Sequence, residues 1–156
     1  MIKTNVMRIL TQKKIIHQQH EYPHGDAPVD GVTCAALMGM DARKVFKTLV
    51  TQGAGRGYYV FVVPVAQTLD LKKAARAVGE KSVQMIPVAQ IEPLTGYVRG
   101  GCSPVGMKKQ FPTVIDQSCL ALDTMVVSAG KIGYQIELAP QALLALIRGQ
   151  TADLVV

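Results

Sequence analysis

Apolar and polar positions alternate along this chain with two periods, and each change of period marks an element. In residues 3–14, Val6, Ile9, Leu10 and Lys13 recur at helical spacing, which predicts a short amphipathic helix. Residues 17–22 read as a strand, and the Pro23-His24-Gly25-Asp26-Ala27-Pro28 cluster as loop. Residues 30–37 predict a helix closed near Gly39. Asp41 then caps a short turn leading into V-F-K-T-L-V at 45–50. That run is apolar on both faces except at Lys47 and Thr48, as expected of a central strand. Turn residues at 53–57 separate it from a second buried run at 58–63, so the two predict a hairpin.

The clearest helix is D-L-K-K-A-A-R-A-V-G at 70–79. Asp70 caps it, Leu71, Ala74, Ala75 and Val78 form the buried stripe, and Gly79 stops it. Pro87 starts another helix ending near Gly96, and strands are expected at 97–99, 113–116, 125–128 and 134–138. Pro140 at a first helical position and Gly149 after the last turn bracket a C-terminal helix. Helices interleaved with short, tightly turned strands predict one α/β domain of the α+β kind over 1–156. Its sheet is expected to be mixed and largely antiparallel, or a partial barrel, flanked by helices.

Composition narrows the class. The chain has 156 residues, 49% hydrophobic and 18% charged, enough to bury about two-thirds of its unfolded surface, so disorder is not expected. No window approaches the ~18 apolar residues of a membrane span, and the N-terminus lacks a signal-type apolar stretch. A cytoplasmic protein without membrane contact is expected. Cys34, Cys102 and Cys119 have no C-x-x-C spacing, so neither a disulfide framework nor a metal site is expected. A net charge of +6 favours a polyanionic partner such as nucleic acid. With no Trp and three Phe, a reader built on stacking aromatics is disfavoured.

Candidate chemistry concentrates in T-G-Y-V-R-G-G-C-S-P-V-G-M-K-K-Q-F-P-T-V-I-D, at 95–116. Gly100-Gly101 lets main chain approach a ligand without a Cβ in the way, and Lys108 and Lys109 suit phosphate. The segment matches no nucleotide-cofactor fingerprint, and no cofactor is expected. Lys47 has Val45 and Leu49 as same-face neighbours, so its ammonium must reach water, find an anion, or face a cavity. Cys102 and Ser103 lack any partner motif that would activate a nucleophile, and the three cysteines read as small core residues. A second glycine-bearing turn runs S-A-G-K-I-G at 128–133. Lys72, Lys73, Arg76, Lys108, Lys109 and Lys131 would supply sequence-independent phosphate contacts if they converge on one cleft.

Four segments, V-F-K-T-L-V, L-D-L-K-K-A-A-R-A-V-G, the glycine-rich stretch above and V-S-A-G-K-I-G-Y-Q-I-E-L, occur in the order that resembles YbaK/EbsC proteins. These are free-standing relatives of the editing domain of bacterial prolyl-tRNA synthetase. The resemblance implies trans-editing, the cleavage of the aminoacyl ester of Cys-tRNA(Pro), with the substrate's own thiol attacking its carbonyl. It implies that Lys47 is the key lysine and Thr48 the threonine after it. It places Gly100 in the aminoacyl pocket, with main-chain N–H groups around Gly100-Gly101 orienting the carbonyl. Ser128 and Tyr22 match further pocket positions. Three positions depart from the family pattern: Cys102 replaces an apolar residue, Gln135 an acidic one, and Asp30 an aromatic one. The implied partners are the tRNA(Pro) acceptor end and prolyl-tRNA synthetase, with a monomer and a homodimer both open. Two alternatives remain: an Ala-tRNA(Pro) deacylase of the sister branch, disfavoured by G-M-K-K at 106–109, and a non-catalytic tRNA-binding protein.

Overall fold

Side-chain caps set most helix starts in the computed structural model, which describes residues 2–156. The Thr4 hydroxyl accepts from the Met7 N–H and opens α1 (Asn5–Gln12). Asp30 opens α2 (Gly31–Leu37) and Asp70 opens α3 (Leu71–Val78), each carboxylate accepting otherwise unsatisfied first-turn N–H groups. Asp41 does the same for a 3₁₀ turn, Ala42–Lys44. The helix expected after Pro87 begins as a 3₁₀ turn, Val88–Gln90, and continues as α4 (Ile91–Thr95). α5 (Pro140–Ile147) carries Pro at its start, as expected.

Among the described residues eight strands form two sheets. β1 (His17–Glu21), β7 (Tyr134–Leu138) and β6 (Met125–Lys131) make an antiparallel sheet in the order β1-β7-β6. The second sheet runs β4-β2-β3-β5-β8. It consists of β4 (Val83–Met85), β2 (Phe46–Gly53), β3 (Tyr58–Pro64), β5 (Thr113–Asp116) and β8 (Gln150–Ala152). Its β4-β2-β3 part is antiparallel and its β3-β5-β8 part parallel. Among the described residues one bridge, Val45 to Val126, joins the sheets without closing a barrel. The mixed, mostly antiparallel architecture flanked by helices is therefore borne out.

Alternation along the strands divides the core. Tyr134, Ile136 and Leu138 of β7 and Val60 and Val62 of β3 point into one cluster, covered by Val6, Met7 and Leu10 of α1. The intervening Phe61 and Val63 point the other way, against Ala74 and Ala75 of α3 and Leu154. A small third cluster, Ala35, Val45, Val65 and Val126, packs α2 over the junction of the sheets.

Three local expectations are corrected. Residues 97–99 are not a strand: the Tyr97 N–H is taken by the Thr95 hydroxyl, and Val98 O accepts from Gly101 N–H in a turn. Leu71 is 41% exposed, since α3 presents only Ala74 and Ala75 squarely to the sheet. β4 and β8, of three residues each, were not expected. Among the described residues no helix is long and apolar enough to cross a membrane.

Candidate active site

The central strand β2 is only partly covered. β3 occupies one edge along its whole length. The other edge is bridged to Val126 at Val45 and taken up by β4 only from Thr51 onward. Between these contacts the edge is open, and a cleft of ≈ 440 Å³ lies there. Because the cleft runs along a strand edge, consecutive residues reach it from both faces of the sheet. Lys47 and Thr48 therefore both line it, although their side chains alternate.

The Lys47 ammonium makes no ion pair and no hydrogen bond among the described residues. Burial pushes its pKa below the usual lysine value. Thr48 Oγ1 and Gln135 Oε1 are buried in the cleft wall without a hydrogen-bond partner, and Tyr22 Oη, outside the lining, also lacks one. Tyr22 is 1% exposed and stands behind the lining, beside Cys34 and Gln135, where burial raises its pKa to about 12. Leaving a buried polar group unpaired costs about 1–3 kcal/mol. Two such groups in the wall, Thr48 Oγ1 and Gln135 Oε1, beside a lysine without a counter-ion among the described residues, suit a ligand that brings polar and anionic atoms.

The glycine-rich stretch forms the facing wall. Gly100 lines the cleft in the left-handed region, with φ of +87°, and a Cβ there would stand 2.9 Å from Pro28. Gly101 does not line it. Its N–H is bonded to Val98 O, and a Cβ would meet the Lys131–Ile132 backbone at 3.1–3.2 Å. Gly101 thus packs the two glycine turns together, and of the pair only the Gly100 N–H has no backbone acceptor among the described residues. Ser128 lines the cleft beside an irregularity in the β6–β7 pairing, its hydroxyl accepting from the Gly130 N–H at 3.1 Å. That hydroxyl keeps its own proton available for a ligand.

The match to the aminoacyl-tRNA editing domain covers residues 29–146, which contain the open edge of β2 and both glycine turns. The chain belongs to that family. This editing domain is 45% identical over 152 residues to a candidate Cys-tRNA(Pro)/Cys-tRNA(Cys) deacylase, EbsC, of Enterococcus faecalis, an alignment covering 97% of this chain and 93% of that protein. It superposes with a TM-score of 0.84 on a candidate trans-editing enzyme for prolyl-tRNA synthetase. That match has 26% identity and covers 100% of this chain and 99% of the other. A hypothetical protein, APE2540, shares the fold alone, with 22% identity, a TM-score of 0.85 and coverage of 97% and 99%.

Within the editing domain the expected site residues separate into groups. Lys47, Thr48, Gly100, Ser128 and Gln135 meet in the cleft. Asp30 is exposed and capping: its carboxylate accepts from the Thr33 N–H and hydroxyl, which lowers its pKa. Lys72, Lys73 and Arg76 lie on α3, on the far side of the second cluster, and Lys73 is paired with Asp153 at 2.9 Å. Lys108 reaches Pro93 O, Lys109 lies 5.9 Å from the Phe111 ring centre, and Lys131 is exposed. None of the six lines the cleft.

Arg99 does line it and was missed; its position immediately before Gly100 was the available signal. Cys102 and Cys34 are also lining residues, and burial raises both thiol pKa values, that of Cys102 to about 11. Both thiols therefore stay protonated near neutrality and neither is an activated nucleophile. Cys119 belongs to the core. Among the described residues no group of three or more His, Cys, Asp or Glu is placed to hold a metal.

Proposed function

We propose that this editing domain works in trans as a deacylase that cleaves the ester of cysteine mischarged on tRNA(Pro), with residues 1–156 acting as one unit in the cytoplasm. The observation that carries the reading is the cleft itself: an unpaired Lys47, two unsatisfied buried polar atoms in the wall and a glycine wall along an open strand edge, with no activated protein nucleophile. Such a site suits a substrate that brings its own nucleophile. The cysteine thiol attacks the ester carbonyl, a C–S bond forms, the C–O bond to the ribose breaks, and the products are a four-membered thiolactone and free tRNA. The protein holds thiol and carbonyl in a reactive geometry, a contribution that reaches ~7–11 kcal/mol in well-oriented systems. Lys47 grips the terminal nucleotide or the developing negative charge, and the Gly100 N–H orients the carbonyl.

The test is a panel of tRNA(Pro) charged with cysteine, serine or alanine, with and without prolyl-tRNA synthetase. The Cys ester is expected to disappear while the Ser ester survives. The synthetase is expected to sharpen tRNA choice, because a cleft this small reads only the acceptor end. Loss of Ala-tRNA(Pro) with Cys-tRNA(Pro) intact would move the chain to the sister activity. Salt-sensitive binding with no ester loss would make it a tRNA-binding protein.

A further inference from the structure

A thiol must lose its proton before it attacks, and a free thiol with a pKa near ~8.5 is mostly protonated at neutral pH. With Lys47 charged, as the deacylase reading has it, the cleft offers no group to receive that proton. Its lining holds two cations, Lys47 and Arg99, and neither a carboxylate nor an imidazole. The two lining thiols, Cys34 and Cys102, are themselves held protonated, and Thr48 and Ser128 present only hydroxyls. The nearby charges outside the lining are already committed. Asp30 on the rim is bonded to Thr33, and His20, opposite Gln135 on β1, lies 2.8 Å from Glu137. The other Glu137 oxygen accepts from Lys44 and Thr124. Tyr22, behind the wall, keeps its proton.

Resting on the deacylase reading above, we propose that the substrate's own α-amino group, received uncharged by the Gln135 side-chain carbonyl, takes the thiol proton. Gln135 lines the cleft with its side chain also against Tyr22, and its Oε1 is buried with no hydrogen bond of its own, an acceptor suited to an amine N–H. Two cations without a lining carboxylate disfavour a further positive charge in the cleft, so the amine enters as a base. Sulfur and nitrogen sit on adjacent carbons, and the S–H···N contact closes a five-membered ring without help from the protein. The thiolate adds to the carbonyl, and as the C–O bond breaks the ammonium returns the proton to the departing ribose oxygen. The amine is regenerated, and the products are the thiolactone and tRNA bearing a free hydroxyl. Gln135 is a positioning residue in this scheme: a carboxylate in its place would hold the amine as ammonium.

The experiment measures single-turnover deacylation by the wild-type protein. Its substrates are Cys-tRNA(Pro) and the chemically prepared ester in which a hydroxyl replaces the α-amino group and the thiol is kept. General base catalysis contributes about 100-fold or more, so the hydroxy ester should react at least about 100-fold more slowly near pH 7. In Gln135→Glu the acidic limb of the rate profile should move to higher pH by about one unit or more. Equal rates for the two esters, or an acidic limb that Gln135→Glu leaves in place, would overturn the proposal. If Gln135→Glu does not fold, the wild-type comparison of esters decides. A wild-type protein that leaves Cys-tRNA(Pro) intact would instead defeat the deacylase reading.

Discussion

Lys47 carries a burial cost with no compensating anion, which makes it the residue where stability and function oppose each other. Its folded-state pKa lies below the usual value of 10.5 through desolvation. The folded chain therefore binds fewer protons at Lys47 than the unfolded chain between that lowered pKa and the ordinary one, and the stability contribution rises with pH across that window. Lys47→Met removes the buried charge and keeps the apolar stem. Its thermal midpoint should equal or exceed that of the wild type at neutral pH, while Cys-tRNA(Pro) deacylation is lost. A clear drop in the midpoint would show that the ammonium stabilises the fold. Deacylation that requires the ammonium should decline as pH rises through the lowered pKa, earlier than for an exposed lysine. Lys47→Arg keeps its charge to higher pH and should push that decline upward. The sequence revealed this residue because a charge interrupting an apolar strand demands an explanation. Arg99 gave no comparable signal, since an arginine in a glycine-rich loop is ordinary until the cleft beside it is seen.

At the scale of elements, one carboxylate ties the site to its scaffold. Glu137 on β7, 9% exposed, receives Lys44 Nζ at 2.7 Å from the turn before β2 and His20 Nε2 at 2.8 Å from β1, and it also accepts from Thr124 before β6. Burial alone would raise its pKa, but the bonds from Lys44, Thr124 and His20 hold it at about 2, against 4.5 for a free glutamate. A depressed carboxylate pKa contributes stability that is present above about 4.5 and is lost as pH falls toward about 2. Glu137→Gln should therefore cost about 1.5–3 kcal/mol at neutral pH, with the gap to the wild type closing in acid. Denaturant melts from pH 7 down to about 2.5 measure it, and a gap that does not change with pH would refute the clamp. Lys44 stands three residues before Lys47, so the same variant should lower the deacylation rate by loosening the start of β2.

This clamp was not legible in the sequence, because its four members come from four segments and meet only through the β1-β7-β6 pairing and the Val45–Val126 bridge between the sheets. What could be read was local: the Asp41 and Asp70 caps, the β2–β3 hairpin and the Pro140 start of α5 all lie within a few residues of their partners, whereas Asp30, read as a site residue, proved to be a cap. β4 and β8 escaped because three-residue strands carry no period and exist only through their neighbours, β2 and β5. Residues 97–99 read as apolar strand, whereas the Thr95 side chain and the Gly101 N–H turn the backbone away from any ladder.

For the whole molecule the question is how a net charge of +6 meets tRNA, since none of the six candidate basic residues enters the cleft. They divide by position. Lys108 lies against Gly96 and Pro93, and the Lys131 backbone abuts Gly101, so with Lys109 they belong to loops that build the glycine wall. Lys72, Lys73 and Arg76 ride on α3, which packs on the second cluster and contributes nothing to the cleft, and Lys73 already holds Asp153. An acceptor end entering beside Gly100 would carry its phosphates past the first group. The triple variant Lys108→Ala, Lys109→Ala, Lys131→Ala should raise KM for Cys-tRNA(Pro) while leaving kcat near the wild-type value. It should also flatten the dependence of log kcat/KM on log salt by about 0.7 for each single-strand phosphate that is no longer neutralised. The α3 triple, Lys72→Ala, Lys73→Ala, Arg76→Ala, should change neither quantity. A reversed outcome, with the α3 triple alone weakening binding, would place the tRNA body along that helix. It would also turn the approach to the cleft around, since the acceptor end would then have to reach Lys47 from the α3 face of β2.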